Sequence, residues 1–149
     1  MLPVNWLKDS NLHLTLIPPW EASDSKETES RLEELLRDKS SFEIEFYSIE
    51  YGADPKEPRL IWLTGGATKD LLSVKDRLES IAPTKISFTP WKPHITIARF
   101  DTKRFSSFPI KHLNEQIRWP EIFSSVAIYE SILNADGTEY RIVSEYILK

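Results

Sequence analysis

The alternation of apolar and polar positions divides much of the chain into short strands. Phe42, Ile44 and Phe46 alternate with polar residues, which predicts a half-buried strand in "SFEIEFYSIEYG". "RLIWLTGG" is more continuously apolar and predicts a central strand. "HITIARF" and the segment from Leu12 to Ile17 also predict strands, and the prolines of "PPW" end the second because proline cannot donate to a ladder. "SVAIYESIL", "NADGT" and "EYRIVSEYIL" predict a strand, a turn and a strand at the end of the chain.

Leucines at helical spacing predict two helices between these strands. The first runs from about Lys26 to Lys39 and begins near Asp24, and the second lies in "ATKDLLSVKDRLESIAP" with Thr68 as its N-cap. Their apolar faces consist of Leu32, Leu35 and Leu36 in the first helix and Leu71, Val74, Leu78 and Ile81 in the second. "DTKRFSSFPIKHLNEQI" predicts a loop followed by a short helix. This mixed order, ending in a hairpin, predicts an α+β fold with antiparallel sheets and not a doubly wound parallel sheet.

Composition narrows the classes of protein that fit. The 149 residues suit one domain, and a net charge of −4 argues against a surface coated in positive charge for non-specific nucleic-acid binding. The chain has no cysteine, which excludes disulfides, zinc–cysteine sites and thiol nucleophiles. No apolar run approaches the ~20 residues of a membrane span, and "MLPVNWLKDS" lacks the apolar core of a signal peptide. We therefore expect a cytoplasmic protein, and a monomer.

Two of the three histidines stand in the same short pattern, His-x-Thr, inside apolar runs. Residues two apart on a strand share a face, so His13 points with Thr15 and His94 with Thr96, away from an apolar side. Two such strands at one cleft would offer two imidazoles for paired acid and base catalysis and two hydroxyls for the anionic oxygens of a phosphodiester. No metal is needed, and two histidines with hydroxyls make a poor Zn²⁺ ligand set. From spacing alone, an active site and two structural histidines both stay open.

The same residues carry a family resemblance. "NLHLTL" and "PHITIAR" resemble the paired H-x-[ST]-x motifs of the two-histidine (2H) phosphoesterase superfamily, nearest to its RNA 2′,3′-cyclic phosphodiesterases, also called 2′–5′ RNA ligases. "FTPWKPHITIAR" and "VAIYESILNADGTEY" extend the resemblance over nearly the whole chain. It implies a bilobal α+β fold, with two antiparallel sheets and flanking helices around a central cleft. It also implies a single domain over 1–149 whose two pseudo-symmetric lobes each carry one motif. Members usually open with a further strand and helix before the first motif, and we expect these to be missing here.

The resemblance implies an activity and its residues. It implies metal-independent hydrolysis of 2′,3′-cyclic phosphodiester ends of RNA to 2′-phosphomonoesters, without a cofactor, and reversible 2′–5′ ligation through the same histidines. By position, His13 resembles the proton donor to the leaving 3′ oxygen and His94 the base that activates water. Thr15 and Thr96 resemble the donors to the phosphate oxygens. Two alternatives stay open: a phosphodiesterase acting on another cyclic or 2′–5′ linked nucleotide, and a non-catalytic RNA-binding remnant.

Three further residues are candidate substrate contacts. Trp20 could stack on a base or cap the core, and Lys92 precedes the second motif and could meet an RNA phosphate. Arg99 would face away from His94 in a regular strand unless a bulge redirects it. His112 has no threonine partner, so we expect an exposed bystander.

Overall fold

The chain forms an α+β structure with antiparallel pairing, as its pattern predicts. A computed structural model describes residues 2–82 and 91–149. Pro83, the last residue of the predicted second helix segment, and the first three residues of "FTPWKPHITIAR" lie outside the described residues. The elements are β1 (Asn5–Trp6), α1 (Ser25–Leu36), β2 (Phe42–Gly52), β3 (Leu60–Gly65), α2 (Lys69–Glu79), β4 (His94–Arg99), β5 (Asn114–Phe123), β6 (Ser125–Asn134) and β7 (Gly137–Ile147), with short 3₁₀ helices at Asp9–Asn11 and Thr102–Ser107. In this part of the chain the strands form a five-stranded sheet, in the order β1-β4-β3-β2-β5, and the β6–β7 hairpin.

Contacts divide the chain into two units. The first comprises the residues up to Thr15 together with Glu45–Gly66 and Lys92–Glu121. Its core lies on one face of the sheet, where the aromatic residues that follow β4 pack over the strands. Burial of their rings removes a large apolar area from water. The buried members are Tyr51, Ile61, Ala98, Phe100 and Phe108.

The second unit comprises Leu16–Ile44, Ala67–Trp91 and Ile122–Lys149. It holds the two predicted helices. The Asp24 side chain accepts from the backbone N–H of Lys26, and the predicted cap at Thr68 is confirmed, because Thr68 accepts from the N–H of Leu71. The buried leucines and valine of these helices are Leu32, Leu36, Leu71, Val74 and Leu78. α1 ends at Leu36, three residues before the predicted end, where the Lys39 N–H donates to the Leu36 carbonyl and tightens the last turn.

The strand predicted from Leu12 to Ile17 is wrong in extent. Within the part of the chain that the structure describes, only Leu14 of this segment pairs, through a single antiparallel bridge to Ile95. The 3₁₀ helix immediately before it uses the N–H of Leu12, which donates to the carbonyl of Asp9, and two prolines follow at once. The apolar alternation over six residues therefore predicts pairing correctly at one residue only. The backbone on either side forms turns and cannot pair with a strand.

The prediction of a loop and then a helix in "DTKRFSSFPIKHLNEQI" is also wrong in order. A 3₁₀ helix comes first, at Thr102–Ser107, and β5 begins at Asn114. β5 is an edge strand of the sheet whose side chains are mostly exposed, so it needs no apolar alternation and gives no period-two signal.

The two motifs lie in the same unit. The division of the domain into two pseudo-symmetric lobes that each carry one motif stays a prediction. His13, Thr15, His94 and Thr96 all belong to the first unit. The cause is pairing: the bridge from Leu14 to β4 joins the first motif to the strand that carries the second.

Candidate active site

An antiparallel bridge brings the two His-x-Thr segments together. Leu14, the residue between His13 and Thr15, pairs with Ile95, the residue between His94 and Thr96. In antiparallel register this sets each histidine opposite the threonine of the other motif, on the face away from the two apolar side chains. Directly opposite Cβ atoms lie about 5 Å apart and diagonal neighbours about 7–8 Å, so the two imidazoles occupy one diagonal of a four-residue array.

Both histidines are held by the same local hydrogen bond. Nδ1 of His13 lies 2.7 Å from the carbonyl oxygen of Asn11, and Nδ1 of His94 lies 2.9 Å from that of Lys92. A carbonyl oxygen only accepts, so each Nδ1 carries a hydrogen and donates it. The neutral tautomer then has its lone pair on Nε2, in both rings. Each Nε2 can take a proton as a base or, once protonated, give one as an acid.

The neighbouring strand β3 completes the surroundings of the second motif. Thr64 pairs with His94 and Trp62 with Thr96, so both β3 side chains share the face of the motif. The rings of Trp62 and His94 lie 4.5 Å apart between centroids, at an interplanar angle of 49°. Sequence reasoning treated "RLIWLTGG" only as a central strand and missed both residues. The signal was there, because Trp62 and Thr64 stand two apart like the motif pairs.

The two motif threonines lie on the same face as the imidazoles. Thr15 and Thr96 are both partly buried. Among the described residues, neither hydroxyl makes a side-chain hydrogen bond. A hydroxyl opposite an imidazole, with no competing partner, can donate to an anionic oxygen that the imidazole also approaches.

Lys92 is the candidate contact whose charge is already paired. Its Nζ lies 3.1 Å from Oε2 of Glu50, and both side chains are partly exposed. Exposed ion pairs are worth only about 0–1 kcal/mol, so this pairing does not prevent Lys92 from meeting a phosphate. The backbone carbonyl of Lys92 accepts the hydrogen bond that orients His94.

Arg99 returns to the motif face because of a bulge. In β3, Ile61 pairs with Ala98, whereas the next residue, Trp62, pairs with Thr96, so β4 holds one extra residue between them. Consecutive residues of β3 point to opposite faces, so Ala98 turns away from the face of Thr96 and Arg99, next in line, turns back to it. Arg99 is exposed. Its partner in β3 is Leu60, which lies four positions, or about 13 Å along the strand, from Thr64, the partner of His94.

Two further residues singled out in the sequence are Trp20 and His112. Trp20 belongs to the second unit and is partly buried, and its stacking on a base stays a prediction. His112 is exposed, as expected. The described residues contain no group of three or more histidine, aspartate and glutamate side chains arranged to hold a metal ion. No helix within them is long and apolar enough to cross a membrane.

Comparisons with known proteins agree with the fold. Antiparallel α+β architecture with two bridged His-x-Thr segments defines the two-histidine class of phosphoesterases. Residues 5–130 match the model of the 2′-5′ RNA ligase superfamily, and the chain belongs to this family.

The chain is similar to two curated relatives. It is 25% identical over 153 residues to the RNA 2′,3′-cyclic phosphodiesterase of Aquifex aeolicus, a match that covers 96% of this chain and 81% of the relative. It is 29% identical over 147 residues to that of Thermotoga maritima, with 94% of this chain and 77% of the relative covered.

Solved structures show the same fold. A protein of Thermus thermophilus superposes with a TM-score of 0.75 at 20% identity, over 97% of this chain and 82% of that one. E. coli LigT, solved in complex with NADP⁺, superposes with a TM-score of 0.70 at 25% identity, over 99% of this chain and 83% of that one.

Proposed function

We propose that this protein hydrolyses 2′,3′-cyclic phosphodiester ends of RNA to 2′-phosphomonoesters by paired histidine catalysis, without a metal. One observation carries the proposal. Both histidines donate Nδ1–H to the carbonyl two residues earlier, which places the ring lone pair on Nε2 in each of two adjacent bridged segments. Two histidines with only a structural role would not need the same tautomer, the same kind of backbone partner and the same kind of neighbouring hydroxyl.

The proposed reaction moves one proton at each histidine. Nε2 of His94 takes a proton from a water molecule as the water oxygen bonds to phosphorus. The bond from phosphorus to O3′ breaks, and Nε2 of protonated His13 gives its proton to O3′. The product is a 2′-phosphate, with the two histidines left in exchanged protonation states. Each transfer contributes about 10²–10⁴-fold to the rate.

The threonines have an electrostatic role in this scheme. Thr15 and Thr96 donate to the nonbridging oxygens, which gain negative charge as water attacks. Donors fixed before the reaction stabilise that charge without reorganisation, and loss of one such donor costs roughly 10²–10³-fold in kcat in other enzymes. The strand partners of Arg99 and His94 lie about 13 Å apart along β3, so we assign Arg99 to the phosphate of a neighbouring nucleotide.

Ligation follows from the same chemistry with a different nucleophile. If the 5′-hydroxyl of a second RNA takes the place of water, Nε2 of His94 takes its proton as the 5′ oxygen bonds to phosphorus, the bond from phosphorus to O3′ breaks, and protonated His13 gives its proton to O3′. The two ends are then joined through a 2′–5′ bond. The name of the family supports ligation as a second activity. The cytoplasmic location and the monomeric state stay predictions.

The test uses a short RNA that ends in a 2′,3′-cyclic phosphate, with EDTA present. Wild-type protein is compared with His13→Ala and His94→Ala, and His112→Ala serves as a control for loss of a histidine outside the site. We expect conversion to the 2′-phosphate, abolished in the first two variants and unchanged in the third.

Other outcomes would point elsewhere. Turnover only with a different cyclic or 2′–5′ linked nucleotide would change the assigned substrate and leave the proposed mechanism in place. RNA binding without turnover, unaffected by His13→Ala, would favour the binding remnant. Turnover that EDTA removes would refute metal independence.

A further inference from the structure

Residues from three adjacent strands meet on the motif face at the second histidine. The indole of Trp62 in β3 contacts the imidazole of His94 in β4, with ring centroids 4.5 Å apart. The indole also lies over Gly52 of β2, where a Cβ atom built on the glycine would stand 2.5 Å from Cε2 of the indole. Gly52 therefore allows the indole to lie against the backbone, and the indole lies against the imidazole.

We propose that Trp62, seated on Gly52, is a positioning residue that fixes the ring plane of His94. The hydrogen bond from Nδ1 to the Lys92 carbonyl holds one edge of the imidazole but allows the ring to tilt about that contact. The indole, which contacts the imidazole at an interplanar angle of 49°, removes part of this freedom, because a tilt of the imidazole toward the indole produces overlap. The direction of Nε2, and so its distance to a reacting atom, is then set by two contacts and not by one.

The choice of tryptophan is not explained by hydrogen bonding. Nε1 of Trp62 is buried and has no hydrogen-bond partner among residues 2–82 and 91–149. A buried donor without a partner is unfavourable, so the indole N–H gives no reason for a tryptophan at this position. The flat ring surface is the property that the site uses.

The catalytic part of this inference rests on the proposed function. Because a misplacement of about 1 Å can cost about 10²-fold in rate, we expect Trp62→Leu to lower kcat by about 10–100-fold. KM should change by less than about threefold, since Trp62 contacts the histidine and not the substrate in this scheme. Trp62→Phe keeps a ring face and should restore kcat to within about threefold of wild type.

Gly52→Ala provides a second route to the same disturbance. The added methyl group must displace the indole, so we expect kcat to fall as in Trp62→Leu. In the Trp62→Leu background the same glycine substitution should have little further effect, since the two residues act through one contact. Gly66→Ala is the matched control, because a Cβ atom there would meet only the ring of Tyr47, at 3.9 Å.

An NMR experiment tests the positioning without any substrate. The imidazole signals of the three histidines are assigned through alanine variants, and the tautomer is read from the ring nitrogen shifts. In wild type we expect His94 to be in the Nδ1–H form with proton shifts displaced by the indole ring current. In Trp62→Leu and in Gly52→Ala that displacement should shrink and the tautomers mix, while the signals of His112 stay fixed.

The two readouts separate the two claims. If wild-type protein shows no turnover on any substrate but the His94 signals respond as expected, the function is wrong and the positioning stands. Unchanged His94 signals, or an unchanged kcat in an active and folded Trp62→Leu variant, would overturn the inference. If Trp62→Leu fails to fold, Gly52→Ala, which keeps every core side chain, decides by the same criteria.

Discussion

Replacing His94 by asparagine or by glutamine separates the roles of its two ring nitrogens. The side-chain amide nitrogen of asparagine can occupy the position of Nδ1 and donate to the Lys92 carbonyl, which His94 contacts at 2.9 Å. The longer glutamine side chain places its amide near the position of Nε2 instead. Neither amide transfers a proton near neutral pH, so both variants lose the chemistry and only one keeps the structural contact.

Loss of the proton-transferring nitrogen and loss of the hydrogen bond to the Lys92 carbonyl should have effects of different magnitude. Loss of an acid or base lowers the rate by about 10²–10⁴-fold, and we expect this of His94→Asn and His94→Gln alike. The hydrogen bond to the carbonyl contributes about 0.5–1.5 kcal/mol to the free energy of unfolding, and only His94→Gln loses it. At about 2–4 °C per kcal/mol for a chain of this size, Tm should fall by about 1–6 °C in the glutamine variant and little in the asparagine variant.

The assay combines initial rates on the cyclic-phosphate RNA with thermal unfolding followed by circular dichroism. The pH dependence of kcat/KM in wild type should be bell-shaped, because one histidine must be protonated and the other neutral. If His94→Asn retained activity within about tenfold of wild type, Nε2 would not be the working atom and the paired mechanism would be refuted. The same pair of substitutions at His13 is the internal repeat, since its Nδ1 has the same kind of partner.

Three further predictions test a catalytic hydroxyl, the helical core and a surface ion pair. Thr96→Val, which removes the hydroxyl and keeps the shape, should lower kcat by roughly 10²–10³-fold while Thr96→Ser retains most activity, and equal loss in both would contradict the donor role. Leu36→Ala, at a side chain that is 0% exposed, should lower the free energy of unfolding in urea by about 2–5 kcal/mol. Leu72→Ala, at 37% exposure, should cost clearly less, and similar costs would contradict the burial. A hydrogen bond from Arg77 lowers the pKa of Asp38 below 3.8, so the folded chain releases this proton at lower pH than the unfolded chain does. The resulting stability is complete above about pH 3.8 and is lost as pH falls through the folded-state pKa, so Asp38→Asn should flatten the acid limb of a stability-versus-pH curve.

Local patterns in the sequence were enough to predict the elements that bury a regular face. α1, α2 and β2 follow from leucine spacing and from the alternation of Phe42, Ile44 and Phe46, because burial of one face imposes a period on the sequence. The caps at Asp24 and Thr68 follow from side chains that can accept a backbone N–H. β5 could not be predicted in this way, because an exposed edge strand has no buried face to impose a period.

The sequence by itself determined which residues carry the candidate chemistry. Repetition of His-x-Thr in apolar surroundings singles out His13, Thr15, His94 and Thr96, since no other histidine has a threonine two residues on. Only the tertiary structure decided how these residues meet. One bridge at Leu14 sets the two motifs side by side, and backbone carbonyls select the tautomer of each ring.

Two further features of the site also depended on tertiary structure. The bulge in β4 returned Arg99 to the motif face, and pairing with β3 brought Trp62 against His94. Such pairings join residues far apart in the chain, and their register depends on the packing of the whole sheet, which no local period encodes.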